Sequence, residues 1–140
     1  MAEITVLRDT REQTPWNLSR FGIAVKVGTL PYGDYSLLNP DLRKNLVIER
    51  KTLADLSQCC GRERDRFERE LLALRGYTHA YVVVEGTYDD IHTHNYRSLI
   101  LPQSVKSSIA EWSLWGIQFI MAGSAELAED YVARVMFFAA

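Results

Sequence analysis

Three polar residues arrive on two short apolar segments. Asp34 follows Gly33 and opens Tyr35-Ser36-Leu37-Leu38, while Glu49 and Lys51 close the run that begins Leu46-Val47-Ile48. Alternate side chains share a face of an extended strand, so Glu49 and Lys51 point one way and Arg50 the other. If residues 34–38 pair with residues 46–51, Asp34 lies beside Glu49. An acid pair of this kind can hold a hard divalent cation. Mg²⁺ takes oxygen ligands at about 2.0–2.1 Å and usually keeps several waters, which leaves room for a phosphate oxygen and an attacking water. The metal, Mg²⁺ or Mn²⁺, would polarise the phosphate and acidify that water. Lys51 is placed to steady the nucleophile or the charge that develops on the phosphorane oxygens. These residue types suit hydrolysis of a phosphodiester.

The surrounding pattern supplies the supports. Residues 4–8 read as a first strand with Asp9 at its end, from which Asp9 and Glu12 can reach the same pocket. Without the residues downstream, Asp9 to Pro15 reads simply as a polar turn. Residues 21–30 read as a second strand and residues 35–38 as a third. Gly33 permits a close approach of backbone or substrate, and Asn39-Pro40-Asp41 marks a turn. Thr52 opens a helix, and Thr52-x-x-Asp55 fits a capping box in which Asp55 bonds back to the Thr52 amide. Asp55 is therefore a cap, a residue near the site, or both. Gly61 breaks or bends this helix. A second helix over residues 62–75 turns Phe67, Leu71 and Leu74 inward and sets Arg62, Arg66 and Arg69 near one face.

Residues 80–85 form a continuous apolar, β-branched run, the pattern of a central strand covered on both faces. Residues 87–97 read as a polar loop whose His92 and His94 lack a third ligand at suitable spacing. Residues 102–115 read as a helix and residues 117–122 as another buried strand. Ser124 caps a last helix to about residue 138. Leu127, Tyr131, Val135 and Phe138 form one stripe, widened by Val132 and Met136, and its plain reading is core packing. The order of elements predicts an α/β domain with a mixed central β-sheet and helices on both faces.

The totals agree with one globular domain: 140 residues, 47% hydrophobic and 24% charged. No apolar run approaches the roughly 18 residues of a membrane span, and no signal-peptide pattern opens the chain. An intracellular setting is expected, in the cytoplasm of a bacterium or phage-infected cell, or in a eukaryotic nucleus. Cys59 and Cys60 are adjacent and suit neither a disulfide nor zinc, so two reduced thiols are expected. The formal net charge is −2. Residues 43–75, however, hold nine of the 16 Lys and Arg and six of the 18 acids, a local balance of +3. A basic flank beside an acidic pocket suits contact with phosphates. The alternative is that these arginines pair with Glu63, Asp65, Glu68 and Glu70 on a solvated helix.

Gly33-Asp34 with Glu49-Arg50-Lys51-Thr52-Leu53-Ala54-Asp55 resembles the GD…ERKxxxD signature of XPF-type structure-specific endonucleases, a branch of the restriction-enzyme-like PD-(D/E)XK superfamily. Asp9-Thr10-Arg11-Glu12 is similar to the family's VDxRE segment. Asp65-Arg66-Phe67 with Glu70 resembles its DGR(F/Y)xxQ helix start, with Asp65 in place of Gly and Glu70 in place of Gln. The matches span roughly residues 4–86.

The resemblance implies a restriction-endonuclease-like fold and a single nuclease domain over residues 1–140. It implies metal-dependent cleavage of DNA, at branched, forked or flap structures in repair or recombination. It also implies a catalytic set of Asp34, Glu49, Lys51, Arg50, Asp9 and Glu12, with Asp34, Glu49 and Asp9 on the metal. Arg11, Asp55 and Arg66 would support that set, and Arg62, Arg66 and Arg69 would meet DNA. Like domains of the family pair, so a homodimer or heterodimer through the C-terminal helices is a second reading of the last stripe. The tandem helix-hairpin-helix module that commonly follows the family's nuclease domain has no counterpart in these residues, so either a fragment or a compact stand-alone nuclease is expected. Two rivals stay open: a catalytically silent DNA-binding scaffold, against which the intact Asp34, Glu49 and Lys51 argue, and a nuclease for plain duplex DNA or RNA.

Overall fold

The chain forms strands β1 (Thr5–Asp9), β2 (Ala24–Gly28), β3 (Tyr35–Leu37), β4 (Leu46–Thr52), β5 (His79–Glu85) and β6 (Gln118–Met121). Its helices are α1 (Pro40–Arg43), α2 (Leu53–Cys59), α3 (Arg64–Leu74), α4 (Tyr88–His92), α5 (Pro102–Ser113) and α6 (Ala125–Ala139). A 3-10 turn occupies Leu18–Phe21. These come from a computed structural model, which describes residues 4–140.

One sheet runs in the order β2-β1-β3-β4-β5-β6. β1 pairs parallel with β2 and antiparallel with β3, and β3 pairs antiparallel with β4. β4, β5 and β6 are mutually parallel. The centre is β4 with β5, in register from Leu46 opposite His79 to Thr52 opposite Glu85. Val82, Val83 and Val84 are fully buried there, as a strand covered on both faces requires.

Each face of the sheet carries its own core. Val47, Val82 and Val84 pack with Leu56, Phe67, Leu71 and Trp112 from α2, α3 and α5. Ile48 and Val83 pack on the other face with Trp16, Tyr35, Val132 and Met136, under α6 and the 3-10 turn. The expected mixed sheet between helical layers is the observed one.

Several boundaries differ from expectation. The second strand is confined to Ala24–Gly28 because the 3-10 turn precedes it and ends at Gly22, whose φ is 79°. Asn39-Pro40-Asp41 starts α1, where the Asn39 side chain accepts the Asp41 amide. Residues 87–97 are not all loop: Thr87 and Asp90 form a reciprocal capping box that nucleates α4. β6 is only half-buried, since it lies at the sheet edge. α3 starts at Arg64, two residues later than expected.

The last helix is rotated by about one residue from its expected packing. Ala128, Val132, Ala133 and Met136 face the sheet. Two small alanines let the helix approach closely, and the bulkier stripe is carried about 100° around. Leu127 and Phe138 are therefore 58% and 93% exposed.

Candidate active site

Asp34 stands where β3 begins, between β1 and β4. Its N–H donates to the Ile48 carbonyl at 2.8 Å, and its own carbonyl accepts the Asp9 N–H at 2.8 Å. Gly33 allows this approach. Its φ is 76°, and a Cβ there would sit 2.3 Å from Val47 Cγ2 and 3.1 Å from the Ile48 carbonyl oxygen. The small residue expected before Asp34 thus makes room for β4 of the same chain. Tyr35 pairs with Ile48. Tyr35 shares its face with Ile48, so by strand alternation Asp34 turns to the face that carries Glu49. The Asp34 carboxylate then turns to accept the Arg50 N–H at 2.7 Å, which continues the ladder with a side chain where the main chain has left.

Glu49 and Lys51 project towards the α2–α3 side, with Val47. Glu49 is 5% exposed, and its Oε2 lies 3.0 Å from Lys51 Nζ. Lys51 Nζ in turn sits 5.2 Å from the centre of the Phe67 ring. Burial pushes Asp34 up to about 6, against the Arg50 amide, which favours the charged form. Burial, reinforced by the Asp34 charge, lifts Glu49 well above the usual carboxylate range. Burial opposes the charge on Lys51, but Glu49 outweighs it and holds the ammonium above its ordinary value. The site is thus an acid pair with the Lys51 ammonium beside it, set at the end of the central strands.

Arg50 points to the opposite face, where it ties a loop down. Its Nε donates to Glu85 at 2.9 Å and its Nη1 to Glu12 at 3.1 Å, with a further bond to the Thr14 carbonyl. The guanidinium lies 4.9 Å over the Trp16 ring. Trp16 Nε1 also donates to Glu85, at 2.6 Å. The Tyr35 hydroxyl donates to Glu12 at 2.9 Å and accepts the Trp16 N–H at 2.9 Å. Tyr35 adjoins Asp34 and Arg50 lies between Glu49 and Lys51, so this network clamps the underside of the strands that carry the acid pair. Arg50 and Glu12, expected among the catalytic residues, sit here and not beside Lys51. The physical cause is strand alternation for Arg50 and the competing Tyr35 hydroxyl for Glu12.

Asp9 is fully buried with its oxygens already taken. Oδ1 accepts the Leu30 N–H at 2.8 Å, and Oδ2 accepts both the N–H and Nε of Arg11, at 3.0 and 2.6 Å. Burial opposes its ionisation, but these bonds hold its carboxyl below the ordinary range. In this structure three donors, two of them from Arg11, occupy the oxygens of Asp9, which the resemblance implied as a metal ligand. Arg11 is ion-paired to Asp9 at 2.6 Å. Asp55 is exposed in the first turn of α2, where its N–H donates to Thr52 Oγ1 at 3.1 Å. Only the Thr52 half of the expected capping box forms. Arg62, Arg66 and Arg69 are all exposed. Arg66 pairs with Glu63 at 2.7 Å, so no contact of Arg66 with the acid pair is seen.

A scan against protein families matches the ERCC4 domain over residues 8–135, nearly the whole chain. The chain belongs to the ERCC4 domain family. Among solved structures it is similar to XPF from Aeropyrum pernix, with a TM-score of 0.78 and 22% identity over 96% of this chain and 64% of that one. It is also similar to the complex of Aeropyrum pernix XPF with DNA, with a TM-score of 0.73 and 23% identity over 97% of this chain and 66% of that one. The chain thus spans about two-thirds of the length of these structures, and at this identity the likeness establishes the fold. The same search of curated proteins finds no match.

Among the described residues of this ERCC4 domain, no three Asp, Glu, His or Cys groups are arranged to hold a metal together. Two opposed carboxylates, Asp34 and Glu49, nevertheless fit Mg²⁺, which is commonly held by one or two carboxylates with waters and substrate phosphates. Their raised pKa values fit as well, because two buried acids with one ammonium lack positive charge.

Sequence reasoning missed the part that three residues play under this site. Trp16, Tyr35 and Glu85 build the clamp.

Proposed function

We propose that this domain is a divalent-cation-dependent DNA endonuclease that cuts at branched, forked or flap structures. The observation that carries the reading is the register that sets Asp34 across from Glu49, with Lys51 ion-paired to Glu49. Family membership supports it, as does the likeness to Aeropyrum pernix XPF in complex with DNA.

On this reading Asp34 and Glu49 hold Mg²⁺ or Mn²⁺ through their carboxylates. When bound, the cation supplies polarisation of a phosphate oxygen and a more acidic water. Lys51 stays protonated beside Glu49 and faces the charge that builds on the phosphate. Arg50 holds the strand ends through Glu85 and Glu12, and Arg11 fixes Asp9 under the Leu30 amide. Arg62, Arg66 and Arg69 present exposed cations for backbone phosphates. The stripe of Leu127, Tyr131, Val135 and Phe138, exposed at Leu127 and Phe138 and half-buried between them, is the face for pairing with a like domain.

The test is cleavage of end-labelled forked DNA, plain duplex and single-stranded RNA, with Mg²⁺ and with EDTA. The reading expects cuts near the fork that EDTA abolishes. Equal cutting of plain duplex, or preferred cutting of RNA, would overturn the branched-DNA assignment.

A further inference from the structure

The last helix holds the far end of the clamp. Glu129 of α6 accepts the Asn17 N–H on Oε2 at 2.6 Å and Arg20 Nε on Oε1 at 3.2 Å. Arg20 also donates to the Glu126 carbonyl at 3.0 Å. The Glu129 side chain is only 13% exposed, unlike the open surface pairs that contribute little. Asn17 follows Trp16, and because the peptide is planar a single rotatable main-chain bond separates the held N–H from the Trp16 Cα. Trp16 is 3% exposed. It stacks on Tyr35 at 4.9 Å, lies 4.9 Å from the Arg50 guanidinium and shares Glu85 with it. Arg50 stands between Glu49 and Lys51, and its own N–H is the one that Asp34 accepts. An unbroken run of hydrogen bonds, one stack and one peptide thus joins α6 to the acid pair.

We propose that Glu129 is a positioning residue for the acid pair: by holding Asn17 it seats Trp16, and Trp16 with Glu85 sets Arg50 and the end of β4. This rests on the reading of Asp34 and Glu49 as the cation's ligands. Glu129 touches neither the cation nor the reacting phosphate and acts only through Trp16. A displacement of about 1 Å at reacting groups can cost about 100-fold in rate, so a partial release of Trp16 is felt in turnover.

The test compares wild type, Glu129→Ala, Glu129→Gln, Trp16→Phe and the Trp16→Phe, Glu129→Ala pair on forked DNA in saturating Mg²⁺, well below every melting transition. Mn²⁺ binding is measured by calorimetry without DNA on the same proteins. Alanine is the best helix former, so α6 persists in Glu129→Ala. That variant is expected to lower kcat about tenfold, with KM changed by less than about twofold, and to raise the Kd for Mn²⁺ about tenfold. Glu129→Gln keeps a side-chain oxygen for the Asn17 N–H and should return kcat to within about threefold of wild type. Trp16→Phe keeps the stack and loses the bond to Glu85. Paired with Glu129→Ala, it should lower kcat by less than the product of the single effects, because both act on one route. A Glu129→Ala that melts lower yet matches wild type in kcat and in Mn²⁺ Kd is a brace of the fold alone and overturns the proposal. Effects that simply multiply overturn the route through Trp16. A wild type that neither binds Mn²⁺ nor cuts brings down the two-carboxylate reading itself, and Glu129 with it.

Discussion

Asp34 accepts the backbone N–H of Arg50 at 2.7 Å, one residue beyond the Glu49 it faces. A single side chain thus fixes the strand end and presents a carboxylate to the pocket. Asp34→Ala should leave the Arg50 amide without a protein partner and cost about 1–3 kcal/mol. Asp34→Asn keeps an acceptor and should cost less. Urea denaturation of the two variants in EDTA measures the difference. Equal losses would mean that the bond contributes little.

The raised pKa values of Asp34 and Glu49 make a signed prediction for the cation-free protein. The folded state holds these protons more tightly than the unfolded state does. Their contribution is therefore full below about pH 4, the ordinary Asp range, and is lost as pH rises through about 6 for Asp34 and higher for Glu49. Stability in EDTA should fall by on the order of 2 kcal/mol between pH 4.5 and 7.5. Mn²⁺ should reverse much of the fall at pH 7.5, and Asp34→Asn should flatten it. Denaturant midpoints across that range, with and without Mn²⁺, provide the check.

Two arginines that look alike in the sequence should behave differently. Arg50 is 12% exposed and holds Glu12 and Glu85, themselves 14% and 10% exposed. Arg50→Met leaves Glu12 and Glu85 without their counter-charge, each keeping one neutral donor, and should cost about 3 kcal/mol. The Arg66 side chain is 71% exposed beside Glu63. Arg66→Met should change stability by less than about 0.5 kcal/mol. If Arg66 meets a phosphate, its loss should weaken binding to forked DNA and reduce the salt slope by about 1. An unchanged slope would remove Arg66 from the DNA interface.

Gly33 offers a purely steric test. Gly33→Ala combines a left-handed backbone with a Cβ that would lie 2.3 Å from Val47. A cost of at least about 2 kcal/mol is expected, from overpacking and backbone strain together. The melting temperature should drop by roughly 6–10 °C. A drop of under 2 °C would mean that β4 yields easily at this point.

The exposed stripe on α6 predicts pairing. Leu127 and Phe138 have little to lose in the monomer, being 58% and 93% exposed. Leu127→Gln with Phe138→Gln should convert a dimer to a monomer in light scattering while leaving the melting temperature of the dilute protein almost unchanged. A wild type that is monomeric at tens of micromolar would contradict the pairing face.

How much was legible follows from which forces are local. The acid pair was readable because strand alternation and one antiparallel pairing determine it: Tyr35 opposite Ile48 carries Asp34 to Glu49. The central strand at residues 80–85 was readable from its β-branched run. The jobs of Asp9 and Arg50 were not, because they depend on partners distant in sequence, Leu30 in one case and Glu85 in the other. Residues 87–97 read as loop because a two-ended cap at Thr87 and Asp90 can hold a helix too short to show a period. α6 was misfaced because a stripe of large side chains outweighed two alanines, whereas close approach to the sheet favours the alanines.

The most direct test of the account is cleavage of end-labelled forked DNA in Mg²⁺ by wild type and Asp34→Asn, with fork binding and melting temperature measured on the same samples. The account predicts that wild type cuts, and that Asp34→Asn folds and binds the fork but cuts at least 100-fold more slowly, as loss of a group stabilising the transition state commonly gives about 10²–10³. Equal cutting by both, or no cutting by either in Mg²⁺ or Mn²⁺ while both bind the fork equally, would contradict it.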